Sequence, residues 1–169
     1  MTSSGPAELE GRQVLSTVDD TEAFGERLGR MLRPGDLVVL TGPLGAGKTT
    51  LTRGIAAGLG VRGPVQSPTF VLARTHPSLV GGAPLVHVDA YRLRSARELD
   101  DLDIDFDGSV VIIEWGRDMV DGLRDSWWEI ELERPVGGRG ADTACGGPTR
   151  VEVELDADAP RVVTVSRRP

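Results

Sequence analysis

The stretch TGPLGAGKTT, residues 41–50, holds the only lysine of a 169-residue chain whose other long basic side chains are all arginine. Gly42, Gly47, Lys48 and Thr49 satisfy the spacing G-x-x-x-x-G-K-[S/T], and Gly45 adds backbone freedom inside it. Residues 37–40, LVVL, are continuously apolar and partly β-branched, which predicts a buried strand just before the motif. A helix is predicted after it, through about residue 59. A strand, a glycine-rich loop and a helix N-terminus in that order point successive backbone N–H groups at one spot and make an anion site. Lysine suits such a site because a compact ammonium on a flexible stem reaches phosphates as a point charge; arginine's planar fork suits flat, bidentate partners. From the chain's own composition a chance match is on the order of one in several hundred, before the strand and helix context is demanded. The predicted phosphate contacts are therefore Gly42, Leu44, Gly45, Ala46, Gly47, Lys48, Thr49 and Thr50, with the Thr49 hydroxyl offered to Mg2+.

Outward from this loop the chain alternates strands and helices. Upstream, QVLSTV (13–18) reads as a short strand, and residues 19–33 carry Ala23, Phe24, Leu28, Met31 and Leu32 at helical spacing behind an Asp or Thr cap. Downstream, TFVLART (69–75), APLVHVDAY (83–91) and GSVVIIEWG (108–116) read as strands, with a helix predicted over 95–102. This alternation predicts an α/β fold of three layers around a mostly parallel sheet. The last segments differ: WWEIELE (127–133), TRVEVEL (149–155) and RVVTVS (161–166) alternate apolar and polar residues, the pattern of half-exposed antiparallel strands at one side of the sheet. Trp127 and Trp128 should then point to opposite faces, one of them buried and the other exposed or at an interface. Residues 1–12 read as a flexible tail, 13–169 as a single domain, and the glycine-rich segment at about 135–148 as a mobile loop.

A phosphate loop needs carboxylates at the C-terminal ends of neighbouring strands, where ligands of open α/β sheets sit. Asp89 and Glu114 end two of the predicted strands. One would orient the Mg2+ shell and the other the attacking water; the sequence does not divide those roles between them. The alternative for each is an ordinary solvated strand-end acid, and both are kept as site residues. In SPTF (67–70), Thr69 could offer a hydroxyl to phosphate, metal or water, or Pro68 could simply set a turn. His87 lies mid-strand, where a packing histidine is favoured over a catalytic base, and Arg92, Arg94 and Arg97 either clamp an anion or form a solvated face. Trp115 belongs to the core or covers the nucleotide site.

Composition excludes other classes. Twenty-six acidic against 19 basic residues give a formal net charge of −7, and no Lys/Arg run is long enough to track a nucleic-acid backbone or an anionic membrane, so no direct tight nucleic-acid binding is expected. Cys145 stands alone, the mark of a reducing compartment. No apolar run approaches a bilayer span and no signal-peptide pattern is present, which predicts a protein of the cytoplasm.

Taken in order, GPLGAGKTT, SPTF, HVDAYRL and IIEWG resemble the bacterial TsaE (YjeE) ATPases of tRNA threonylcarbamoyladenosine biosynthesis, over about residues 17–128. The resemblance implies a P-loop fold, bound ATP and Mg2+, and an ATPase that is feeble alone and rises in a complex with the TsaD and TsaB proteins. It implies Lys48 and Thr49 as phosphate and Mg2+ contacts, Asp89 and Glu114 as metal and hydrolysis acids with Glu114 a direct ligand, Thr69 as a switch-like position and Trp115 as a neighbour of the centre. Pro43 stands where the family often has an acid, His76 where it often has Tyr, and residues 137–147 form a longer glycine-rich segment than it usually carries. The sequence leaves two rival functions open. A nucleoside or small-molecule kinase would need an arginine-bearing lid, for which RLRSAR (92–97) is the candidate; a non-hydrolysing nucleotide switch would need no turnover. No base-reading motif is legible, so ATP over GTP rests on the resemblance.

Overall fold

A computed structural model describes residues 5–68, 71–134 and 159–169. Among them, β1 (Gly11–Leu15), β2 (Leu37–Thr41), β3 (Ala73–His76), β4 (Leu85–Asp89), β5 (Val110–Glu114), β6 (Trp127–Glu133) and β7 (Arg161–Arg168) form one mixed sheet in the order β1-β7-β6-β2-β5-β4-β3. The central strands β6, β2, β5 and β4 run parallel, while β1, β7 and β3 pair antiparallel with their neighbours. The fold is thus the α/β class expected, with a parallel core.

Helices α1 (Val18–Met31) and α2 (Lys48–Leu59) cover one face. Thr17 caps α1, its hydroxyl accepting from the Asp20 N–H while the Asp20 carboxylate accepts from the Thr17 N–H, so two otherwise orphan donors are satisfied. Phe24 and Leu28 then face Leu51 and Ile55 of α2 and the even-numbered residues of β2 and β5. The opposite face, built on Val39, Val88, Val111, Ile113 and Trp127, is covered by the short α3 (Ala96–Asp100) and by the segment around Met119, Val120 and Leu123.

Four expectations change. Pro6–Leu9 form a 3-10 turn with Pro6 and Leu9 buried, and β1 begins at Gly11, so residues 6–12 of the expected tail are built into the fold; Leu9 is the apolar anchor. TFVLART yields a strand only from Ala73 onward, antiparallel to β4. The alternation of WWEIELE does not mark a half-exposed strand at the side: β6 lies inside the sheet between β2, parallel, and β7, antiparallel. Both tryptophans are buried, on opposite faces. Glu129 reads as solvated but is buried beneath Arg117 and Arg168, which pair with its carboxylate. The expected strand at 149–155, the glycine-rich segment at about 135–148 with Cys145, and Thr69 all lie outside the described residues.

Candidate functional site

The loop between β2 and α2 is shaped by what stands beside it. Gly42 has φ 157°, and a Cβ there would come within 2.5 Å of the Leu132 carbonyl on β6, so only glycine lets the chain leave β2 this close to its neighbour. Gly47 has φ 105° in the left-handed region and gives α2 no side-chain cap. The first N–H groups of α2 therefore keep their capacity for an acceptor beyond the helix end. Inside the loop, the Ala46 N–H goes to the Pro43 carbonyl at 3.1 Å and the Ala46 side chain is fully buried. Ala46 is thus a packing residue of the loop, in contrast to Leu44, Gly45, Gly47, Thr49 and Thr50, which line a cavity of about 720 Å3.

Lys48 enters the same cavity. Its ammonium donates to the carbonyls of Gly42 at 2.7 Å and Pro43 at 3.0 Å and sits 4.4 Å from the centre of the Trp115 ring. Burial lowers its pKa from the ordinary value, and the charges of Glu114 and Asp89 pull in the opposite direction. Both acids line the same cavity as the ammonium.

The sheet register explains why they are there. Glu114 pairs with Leu40, the residue before Thr41, and Asp89 pairs with Glu114. Residues in register share a face, and Val38, Leu40, Leu85, Val110 and Ile112 all pack on the α1–α2 side. Both carboxylates accordingly emerge toward the start of α2 and line the cavity with Thr49. The Asp89 carboxylate accepts from the Tyr91 N–H at 3.0 Å. Glu114 is 3% exposed and bonds through Oε1 to Nε2 of the fully buried His87 at 3.0 Å. His87 is fully buried, and through Nε2 it holds the Glu114 carboxylate in place. Trp115, next in the chain, takes φ 62° and bonds its N–H to the Leu40 carbonyl, which turns its ring over Lys48.

No group of three or more His, Cys, Asp or Glu side chains able to hold a metal occurs among the described residues. A hydroxyl and two carboxylates beside the loop N–H groups suit Mg2+, which takes oxygen ligands, few of them from protein, and keeps several waters. Arg92, Arg94 and Arg97 do not enter the cavity, so they supply no lid over it. Ser67 of SPTF does line it; Thr69 is outside the described residues. Sequence reasoning missed Tyr91, which stacks edge-on with Trp115 at 5.5 Å, and the two arginines Arg134 and Arg161 in the opposite wall. The arginines were hidden by the misread strand: once β6 is known to run parallel to β2, its C-terminal end must lie beside the loop, and so must the start of β7.

A family model described as "Threonylcarbamoyl adenosine biosynthesis protein TsaE" matches residues 15–140, a span that contains the loop and both acids. The chain belongs to the TsaE family. Relatives named tRNA threonylcarbamoyladenosine biosynthesis protein TsaE include one from Streptomyces coelicolor, 57% identical over 117 residues, covering 68% of this chain and 79% of that protein. One from Mycobacterium leprae is 50% identical over 133 residues, covering 73% and 83%, and one from Bacillus subtilis is 37% identical over 117 residues, covering 69% and 73%. The crystal structure of Bacillus subtilis YdiB superposes with a TM-score of 0.63 at 28% identity, over 91% of this chain and 82% of that one. As a TsaE family member the chain is assigned to tRNA threonylcarbamoyladenosine biosynthesis, and no described helix is long and apolar enough to cross a membrane.

Proposed function

We propose that this TsaE family member binds ATP with Mg2+ in the cavity above β2 and hydrolyses it slowly, in the cytoplasm, in support of threonylcarbamoyladenosine formation by the TsaD and TsaB proteins. The observation that carries the reading is the convergence of Lys48, Thr49, Asp89 and Glu114 on one cavity at the start of α2. The loop N–H groups and Lys48 hold the phosphate chain, and an arriving phosphate reinforces the charged form of an ammonium that burial disfavours. The Thr49 hydroxyl and one carboxylate would hold Mg2+, which when bound neutralises charge building on the phosphate oxygens. Glu114, held rigidly by His87, is the better-fixed acid and orients the attacking water or the metal shell; Asp89, less buried, completes the pair.

The cavity has an open rim with exposed apolar side chains: Leu44 is 90% exposed and Tyr91 71%. In this reading a partner protein covers that rim, and nucleotide binding and hydrolysis alternately close and release the complex. Steady-state ATP turnover by the purified chain, measured alone and with TsaD and TsaB added, tests the coupling. Turnover should rise with both partners present; equal turnover with and without them would contradict it.

A further inference from the structure

The wall of the cavity facing away from the two acids is cationic. Arg134 follows the C-terminal end of β6 and Arg161 opens β7, and both line the cavity. Arg161 is 7% exposed and donates to the Ala159 carbonyl. Its Nε stands 3.7 Å from the point where a Cβ on Gly47 would be, so the guanidinium abuts the last loop residue before Lys48. Burial and then the charge of Arg134 lower its pKa from the ordinary value, yet a guanidinium keeps its proton at any physiological pH. Among the described residues no carboxylate forms an ion pair with Arg161. A buried guanidinium thus adjoins a cradle of N–H donors, in the same wall as Arg134, and its charge favours an anion there over a cation.

We propose that Arg161, backed by Arg134, contacts the phosphate chain of the bound nucleotide from the β6–β7 flank, opposite Asp89 and Glu114. The inference rests on the nucleotide reading of the same cavity and adds to it a contact from beyond the family match, which ends at residue 140. The chemistry favours this assignment. A guanidinium anchored by one donor to Ala159 has others left in a rigid fork, the geometry that takes two phosphate oxygens at once. Lys48 would grip the chain from the loop and Arg161 from the side, so the phosphates lie between fixed cations along their length.

Titration calorimetry of the native chain, R161Q, R161K and R134Q with Mg-ATP and with inorganic tripolyphosphate tests it, with ligand-free melting as the control for folding. R161Q should weaken both ligands by about ten- to a hundredfold, as loss of a charge-assisted hydrogen bond does. R161K should lose several-fold, because it keeps the charge without the fork, and R134Q should lose less than R161Q. Native affinity of R161Q for both ligands would overturn the proposal, and so would loss confined to ATP with tripolyphosphate unaffected, which would make Arg161 a base or ribose contact. If R161Q does not fold, R161K decides: several-fold loss on both ligands supports the contact and native affinity overturns it. Failure of the native chain to bind either ligand is a separate result, since it removes the nucleotide reading itself.

Discussion

Glu114 combines 3% exposure with a 3.0 Å bond to a fully buried imidazole, so it has little freedom to reorient, and the role proposed for it depends on its charge. Glu114→Gln keeps the shape and removes that charge. It should lower ATP turnover by about a hundredfold or more while Mg-ATP affinity changes far less, the split expected of a group that acts on the reaction. Turnover equal to the native rate would exclude Glu114 from hydrolysis. His76 makes a second, unrelated prediction. Burial lowers its pKa below the ordinary 6.5, against the favourable bond of Nδ1 to the Arg62 carbonyl at 3.0 Å, with small contributions from His87 and Arg74. Its Nε2 is buried without a partner among the described residues, so protonation would put a new N–H where nothing accepts it. As pH falls below about 6.5 the unfolded chain takes up this proton before the folded one, so stability is complete above that value and declines toward acid. His76→Phe should flatten the decline: between about pH 7 and pH 5 the native urea midpoint should fall more than that of the variant. Parallel curves would contradict the assignment.

Helices α1 and α2 touch through backbone. A Cβ on Gly54 would stand 2.2 Å from the Glu22 carbonyl oxygen, and one on Gly25 2.5 Å from that of Leu51. The helix that carries Lys48 and Thr49 is thereby docked at a fixed depth against α1. Helix propensity alone says that Gly54→Ala gains up to about 1 kcal/mol; the clash with backbone says it loses about 1–3 kcal/mol, and backbone cannot swing aside. The clash should win, with a lower denaturant midpoint at unchanged slope; a raised midpoint would mean the helices are not held this close. Legibility follows the same division between local and non-local causes. The strand, loop and α2 could be read in residues 37–59 because their signals are adjacent in the chain. β4 and β5 could be read because their apolar runs end in Asp89 and Glu114, where the strands do end. β6 could be read as a strand over 127–133, but its place inside the sheet could not, since Glu129 looks solvated until Arg117 and Arg168, supplied by other segments, cover it.

Across the whole molecule, parallel strands from distant parts of the chain bring their C-terminal ends to one edge of the sheet. β2 delivers the loop, β5 and β4 the acids on one side, and β6 with β7 the arginines on the other. Half of this site was legible, because a lysine among glycines and acids at strand ends are signals of residue type and spacing. The other half depends on strand order, and Arg134 and Arg161 have no local pattern that separates them from the chain's many surface arginines. The proposed function depends on a phosphate chain being held by the loop N–H groups and Lys48. Titration calorimetry of Mg-ATP into the native chain and into Lys48→Ala tests it most directly. The native chain should bind with measurable heat and the variant about a hundredfold more weakly or not at all, as expected when a charged contact is removed from a partly buried anion site. Native-like affinity in the variant, or no binding by the native chain, would contradict it.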